Sequence, residues 1–107
     1  MASNLPVTVD LTFYQGDSWT QKFRFLNDGT PVDLSGAGIT AEARAAGALW
    51  YQLVVDNSNA NVGEVVISPP TLDMKPGGYA YDVQVDQGGT ITTWVSGRML
   101  INQSVTP

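Results

Sequence analysis

Residues 79–86, YAYDVQVD, place Tyr79, Tyr81, Val83 and Val85 at every second position, with Ala80, Asp82, Gln84 and Asp86 between them. Successive side chains of an extended chain point to opposite faces, so this spacing predicts a strand with one apolar and one wetted face. The same period runs through residues 7–14, VTVDLTFY, where Val7, Val9, Leu11 and Phe13 alternate with Thr8, Asp10, Thr12 and Tyr14. It resumes after Gln15-Gly16-Asp17, with Trp19, Phe23 and Phe25 in phase against Thr20, Lys22 and Arg24. A third strand is expected near Ile39–Ala45. Its alanines would tolerate helix, but Gly36, Gly38 and Gly47 hem the run into a length too short for a stable one.

Turn residues divide the rest of the chain. Gly16 can take the positive φ of a tight turn and Asp17 can bond the following backbone, so residues 11–25 read as a hairpin. Asn27-Asp28-Gly29-Thr30-Pro31 stops its second strand. A fourth strand is expected in ALWYQLVV (48–55), a polar loop in DNSNAN (56–61) and a fifth strand in VGEVVIS (62–68). PPTLDMKPGG (69–78) reads as a longer crossing with one helical turn at Leu72–Met74. Gln87-Gly88-Gly89 predicts another hairpin, into TITTWVSGRMLI (90–101), where Gly97 suggests a bulge or bend. About seven strands without a useful helical period predict an all-β fold, a small immunoglobulin-like antiparallel β-sandwich. KPGGY supports it: Tyr79, two residues after Gly77 and before an inward Tyr81, has the spacing of a tyrosine corner, whose phenol bonds upstream backbone.

The whole chain, 1–107, is expected to form one domain with short extended termini, because a second domain would have too little chain for a core. Val9, Leu11, Phe13, Trp19, Phe23, Phe25, Ile39, Leu53, Val65, Ile67, Tyr79, Tyr81, Val83, Val85, Ile91 and Val95 are the expected core. The termini MASNLP and NQSVTP, polar and proline-bearing, are expected to order only against neighbouring subunits.

Composition narrows the function. The sequence has no cysteine and no histidine, which removes disulfides, thiol nucleophiles, imidazole bases and the usual zinc ligands. A net charge of -5 offers no cationic field for phosphate backbones or anionic lipid, so neither nucleic acid nor membrane is an expected partner. The amino terminus has no basic segment followed by a long apolar run, and no stretch approaches the roughly 20 apolar residues that span a bilayer, which predicts a chain made and used in soluble form. Carboxylates are the acid–base groups that remain, and most lie in turns or on outward strand positions, where they cap and solvate. DNSNANVGE resembles a calcium loop, but Ala60 and Asn61 stand where that register needs an oxygen ligand and glycine. No catalytic residue, cofactor or metal site is expected.

Three aromatics are the candidate interface residues: Trp50, Trp94 and Tyr14. The phase that puts Leu49, Leu53 and Val55 in the core turns Trp50 outward, and the phase of Ile91 and Val95 does the same to Trp94. Large aromatics on a wetted face mark interfaces. The competing reading is that a loop covers them, or that the phase slips by one residue at a bulge.

The segment YQGDSWTQKFRFLNDGTPVDLSGAGITAEAR (14–44) resembles the start of the phage baseplate upper protein N-terminal domain and related tail-fibre attachment domains. PGGYAYDVQVDQGGTITTWVSGRMLI (76–101) is similar to the way that family closes. The resemblance implies a non-enzymatic virion structural protein, assembled in the host cytoplasm in many copies. It would bind other phage structural proteins in the tail, baseplate or fibre attachment region. Because the receptor-binding or coiled-coil region usual in that family does not follow Pro107, a free-standing subunit is expected, in the tail or as capsid decoration. The alternative from a different class is a carbohydrate-binding module in which Trp50, Trp94 and Tyr14 stack on sugar rings.

Overall fold

The computed structural model describes residues 7–45, 49–71 and 74–103. Apart from a 3-10 turn at Ala60–Val62, its regular elements are strands: β1 (Val7–Thr8), β2 (Leu11–Tyr14), β3 (Gln21–Arg24), β4 (Leu26–Asn27), β5 (Thr30–Pro31), β6 (Gly38–Arg44), β7 (Trp50–Gln52), β8 (Val54–Asp56), β9 (Glu64–Ser68), β10 (Gly77–Gln87) and β11 (Thr90–Asn102). A six-stranded sheet runs β7-β6-β10-β11, with β1 and β2 both lying parallel to the far side of β11. The second sheet is β3-β9-β8, and β4-β5 is a short hairpin beside them. Side chains from both sheets share one core, so the chain is an all-β sandwich. Strands β3, β9 and β8 take the places of B, E and D in the immunoglobulin order, and β6, β10 and β11 those of C, F and G. The expectations for the termini and for a helical turn at Leu72–Met74 fall mostly on residues 1–6, 104–107 and 72–73, outside the described ones. Of the described remainder, Asn102, expected in the unpaired tail, is instead the last residue of β11 and pairs with Tyr14, and Met74 is buried outside any regular element.

Two buried tyrosines tie loops to the sheet. The Tyr79 hydroxyl donates to the Lys75 carbonyl oxygen at 2.6 Å, which is the bond a tyrosine corner makes. Burial, helped by neighbouring Tyr51, pushes this phenol up to about 12. The Tyr81 hydroxyl donates to the Val9 carbonyl oxygen at 2.6 Å, across 72 positions of sequence. Burial, with the Asp10 charge beside it, holds Tyr81 at about 12 as well.

The Val9 bond explains why the first strand is split. Val9 N–H donates to the Ser96 carbonyl at 3.0 Å, and continuing the parallel ladder would bring Arg98 N–H to the Val9 carbonyl. That carbonyl instead turns inward to Tyr81, and Asp10 Oδ1 accepts the Arg98 N–H at 3.0 Å in its place. The turn is possible because residue 97 is glycine: a Cβ there would land on the Val9 carbonyl. Gly97 is thus a point of close backbone approach, and the expected bulge lies elsewhere.

It lies at Trp94. Val83 pairs with Val95 but Gln84 pairs with Thr93, so Trp94 is an extra residue in β11. The slip reverses the expected phase before it. Ile91, assigned to the core, is 63% exposed, and Trp94, assigned to the outer face, packs against the core. The other expected core residues are buried or packed against it, joined by Leu34, Ala41, Ala43, Ala60, Met74, Met99 and Ile101.

Two connections also differ from expectation. Residues 11–25 are not a hairpin, since β2 pairs with β11 and β3 with β9. The turn between them, closed by Asp17 N–H to the Tyr14 carbonyl at 3.2 Å with Gly16 at φ 90, carries the chain from one sheet to the other. Stacking of Phe13 on Trp19, with centroids 3.9 Å apart, fills the inside of this arch. The expected fourth strand is likewise shared: β7 pairs with β6, β8 pairs with β9, and buried Leu53 sits at the crossing. Two of the hairpins, β4–β5 and β10–β11, turn at Asp28-Gly29 and Gly88-Gly89, both pairs with positive φ as a two-residue type I′ loop requires.

Gly97→Ala is expected to lower stability by about 2–3 kcal/mol through overpacking. Tyr81→Phe should cost about 1–3 kcal/mol by leaving the Val9 carbonyl without a donor. The double variant should lose less than the sum of the two single losses, because a displaced carbonyl no longer needs the phenol. Urea unfolding of the variants checks this, and a Gly97→Ala midpoint equal to wild type would contradict it.

Candidate interaction surface

The outer face of the six-stranded sheet is built from residues one step out of phase with the core. Register aligns Trp50, Arg44, Ala80 and Arg98 in one row across four strands, and Gln52, Glu42, Asp82 and Ser96 in the next. Ala80 is small, so the row dips between its two arginines. The result is an open trough of ≈ 680 Å³ lined by Glu42, Arg44, Ala80, Asp82 and Arg98 among others. A smaller cleft of ≈ 350 Å³ lies at the sheet edge between Arg44, Ala45, Leu49 and Trp50.

The three candidate aromatics do not meet. Trp50 is 47% exposed on β7 at one edge of the sheet, and Tyr14 is 50% exposed on β2 at the opposite edge. Trp94 is half-buried, with its ring edge-on to Phe25 at a centroid distance of 5.1 Å. It faces inward because of the bulge, so it lines no common platform with the others. Leu100, 43% exposed, joins the outer face instead. The signal for it was Gly97, beyond which Met99 and Ile101 face inward and Leu100 outward.

Charge on this face is mixed. Arg44 Nη2 bonds Glu42 Oε1 at 2.8 Å, and Glu42 stands directly opposite Asp82. Burial holds the Asp82 carboxyl above its ordinary value, Glu42 raises it further, and Arg44 offsets part of the rise. Arg98 presents its guanidinium to the trough with its own N–H already held by Asp10. Such a face can exchange hydrogen bonds with a polar partner while Trp50 supplies apolar contact. Elsewhere, Asp33 and Asp56 lie below their ordinary values because each accepts both the N–H and the hydroxyl of a serine two residues on. They are turn caps. Among the described residues no group of three or more Asp or Glu could hold a metal ion.

Two expectations follow. Asp82→Asn should raise stability at neutral pH. The unfolded carboxyl ionises around 3.8 while the folded one still keeps its proton, so the native penalty builds as pH rises through that window and persists above it. The difference between variant and wild type should therefore shrink as pH falls below the window, which thermal melts across pH can follow. Trp94→Ala should cost about 2–4 kcal/mol, as a cavity against Phe25, whereas Trp50→Ala should stay within about 1 kcal/mol of wild type. Equal losses in the two would contradict their different environments.

No protein-family model matches the sequence, and no curated protein is similar to it. Among solved structures the fold is similar to part of InlP of Listeria monocytogenes, with 18% identity and a TM-score of 0.51 over 88% of this chain and 26% of that one. It is also similar to part of an endo-fucoidan hydrolase of glycoside hydrolase family 107, with 13% identity and a TM-score of 0.57 over 92% of this chain and 13% of the hydrolase. The chain thus spans about a quarter and an eighth of those proteins, and at these identities the likeness is one of fold.

Proposed function

We propose that this chain is a non-enzymatic structural protein of a phage virion, a β-sandwich module that binds other virion proteins in the tail, baseplate or fibre attachment region. The observation that carries the reading is Trp50, nearly half exposed on an edge strand of a sandwich whose other tryptophans pack inward. Exposed Leu100 on the same sheet, and Tyr14 at its far edge, extend the apolar surface available to partners. The resemblance of residues 14–44 and 76–101 to baseplate and tail-fibre attachment domains supplies the setting. A capsid decoration protein would use the same surface. The trough lined by Glu42, Asp82, Arg44 and Arg98, groups that can exchange hydrogen bonds with a polyol, favours a sugar ligand as the second reading.

Purified particles should contain the protein in a fixed ratio to a baseplate or capsid protein, and its absence would overturn the virion reading. Trp50→Ala should weaken incorporation by about 2 kcal/mol or more, as loss of an aromatic anchor does, with folding preserved. Binding to a glycan array that is lost in Trp50→Ala would support the sugar reading in its place.

A further inference from the structure

Strand β7 ends the six-stranded sheet, and among the described residues nothing pairs with its outer side. Its inner ladder runs through Ala45 N–H to the Leu49 carbonyl at 2.8 Å and Leu53 N–H to the Ala41 carbonyl at 2.9 Å. In an antiparallel pair, residues that exchange both bonds alternate with residues whose N–H and C=O point the other way. Leu49, Tyr51 and Leu53 therefore face β6, and the backbone groups of Trp50 and Gln52 face outward without a strand. Natural edges are blunted by short length, lysine, proline, bulges or cover. Strand β7 is short, but its residues 50–52, WYQ, contain neither a charge nor a proline.

We infer that this edge pairs antiparallel with the same edge of a second copy of the chain, about a twofold axis at Tyr51, so that Trp50 of each copy lies opposite Gln52 of the other. The residues near the axis point to this occupant. In this twofold pair Tyr51 lies opposite its own image while Trp50 and Gln52 lie diagonally from theirs, so a charge at these positions would be repelled by its copy, whereas a different partner could answer a charge with its opposite. The flanking charges are complementary in the same register. Arg44 sits beside Trp50 and Glu42 beside Gln52, so each row across the joint reads Arg44, Trp50, then Gln52 and Glu42 of the second copy. Arg44 never meets another Arg44. The two Trp50 side chains become diagonal neighbours at roughly 7–8 Å, a separation that large aromatics bridge, and each covers the other's exposed face. Two six-stranded sheets join into one, and the two β7 edges are paired.

The pairing shares Trp50 with the virion reading but not its setting, because it is decided on purified protein with no other virion component present. Light scattering over a concentration series should show twice the 11.4 kDa chain mass, and a monomer at every concentration would overturn the inference. Gln52→Pro removes an N–H that faces away from β6, a place where an edge strand tolerates proline. It should keep the wild-type circular dichroism and lose the dimer. Trp50→Lys sets like charges beside each other across the axis and should lose the dimer too, which decides the matter if the proline variant fails to fold. A folded variant of either kind that dimerises as strongly as wild type shows that another surface holds the pair. Absence from particles with an intact dimer would sink the virion reading alone.

Discussion

The Val9 carbonyl can accept one strand's ladder bond or Tyr81's hydroxyl, and the fold is arranged around the second choice. Tyr81 is 3% exposed, and a buried phenol needs an acceptor. Diverting the carbonyl leaves Arg98 N–H unmatched, and the Asp10 carboxylate replaces it. The diversion needs space that only a glycine at 97 leaves. Three stretches far apart in sequence, Val9–Asp10, Tyr81 and Gly97–Arg98, thereby fasten the amino-terminal strand to β11, and Asp10, Tyr81 and Gly97 each have a reason to be the residue they are.

With that strand committed to β11, the chain must leave it by an arch rather than fold back as a hairpin. Gly16 makes the turn, and the Phe13–Trp19 stack occupies the space beneath it. On the opposite side the chain changes sheets at Leu53, whose N–H still reaches Ala41 while its side chain enters the core. This crossing keeps β7 to three residues and leaves it at the end of its sheet. The exposure of Trp50 is thus a consequence of topology. The residue sits where the sheet stops, on the face that the second sheet does not cover.

The surface so formed works through shape and hydrogen bonding more than through a field. Its two arginines stand among Glu42, Asp82 and Asp10, and the carboxylate opposition of Glu42 and Asp82 is tolerated because Arg44 lies against one of them. A face with cations and anions in adjacent rows discriminates by register, since sliding a partner strand by two residues would bring like charges together.

Much of the fold was legible in the sequence because period two is a local property. YAYDVQVD had to present Tyr79, Tyr81, Val83 and Val85 to one side whatever lay around it, and KPGGY carried its own corner. Turn chemistry at Asp28-Gly29 and Gly88-Gly89 was local in the same sense, as was the outward phase of Trp50. The partner of a strand was not legible, because alternation states which face is buried and says nothing about which strand lies alongside. The arch at Gly16 therefore read as a hairpin, and residues 48–55 as a single strand. The orientation of Trp94 and Ile91 was lost for a related reason: a bulge is an agreement between two strands about how many residues to count, and Thr93-Trp94 looks regular until β10 is beside it. What the sequence determined alone was the alternation, the turns and the absence of thiol and imidazole chemistry. Only the tertiary structure decided pairing, the inward turn of Val9, and the separation of Trp50 from Tyr14, because those depend on contacts between residues distant along the chain.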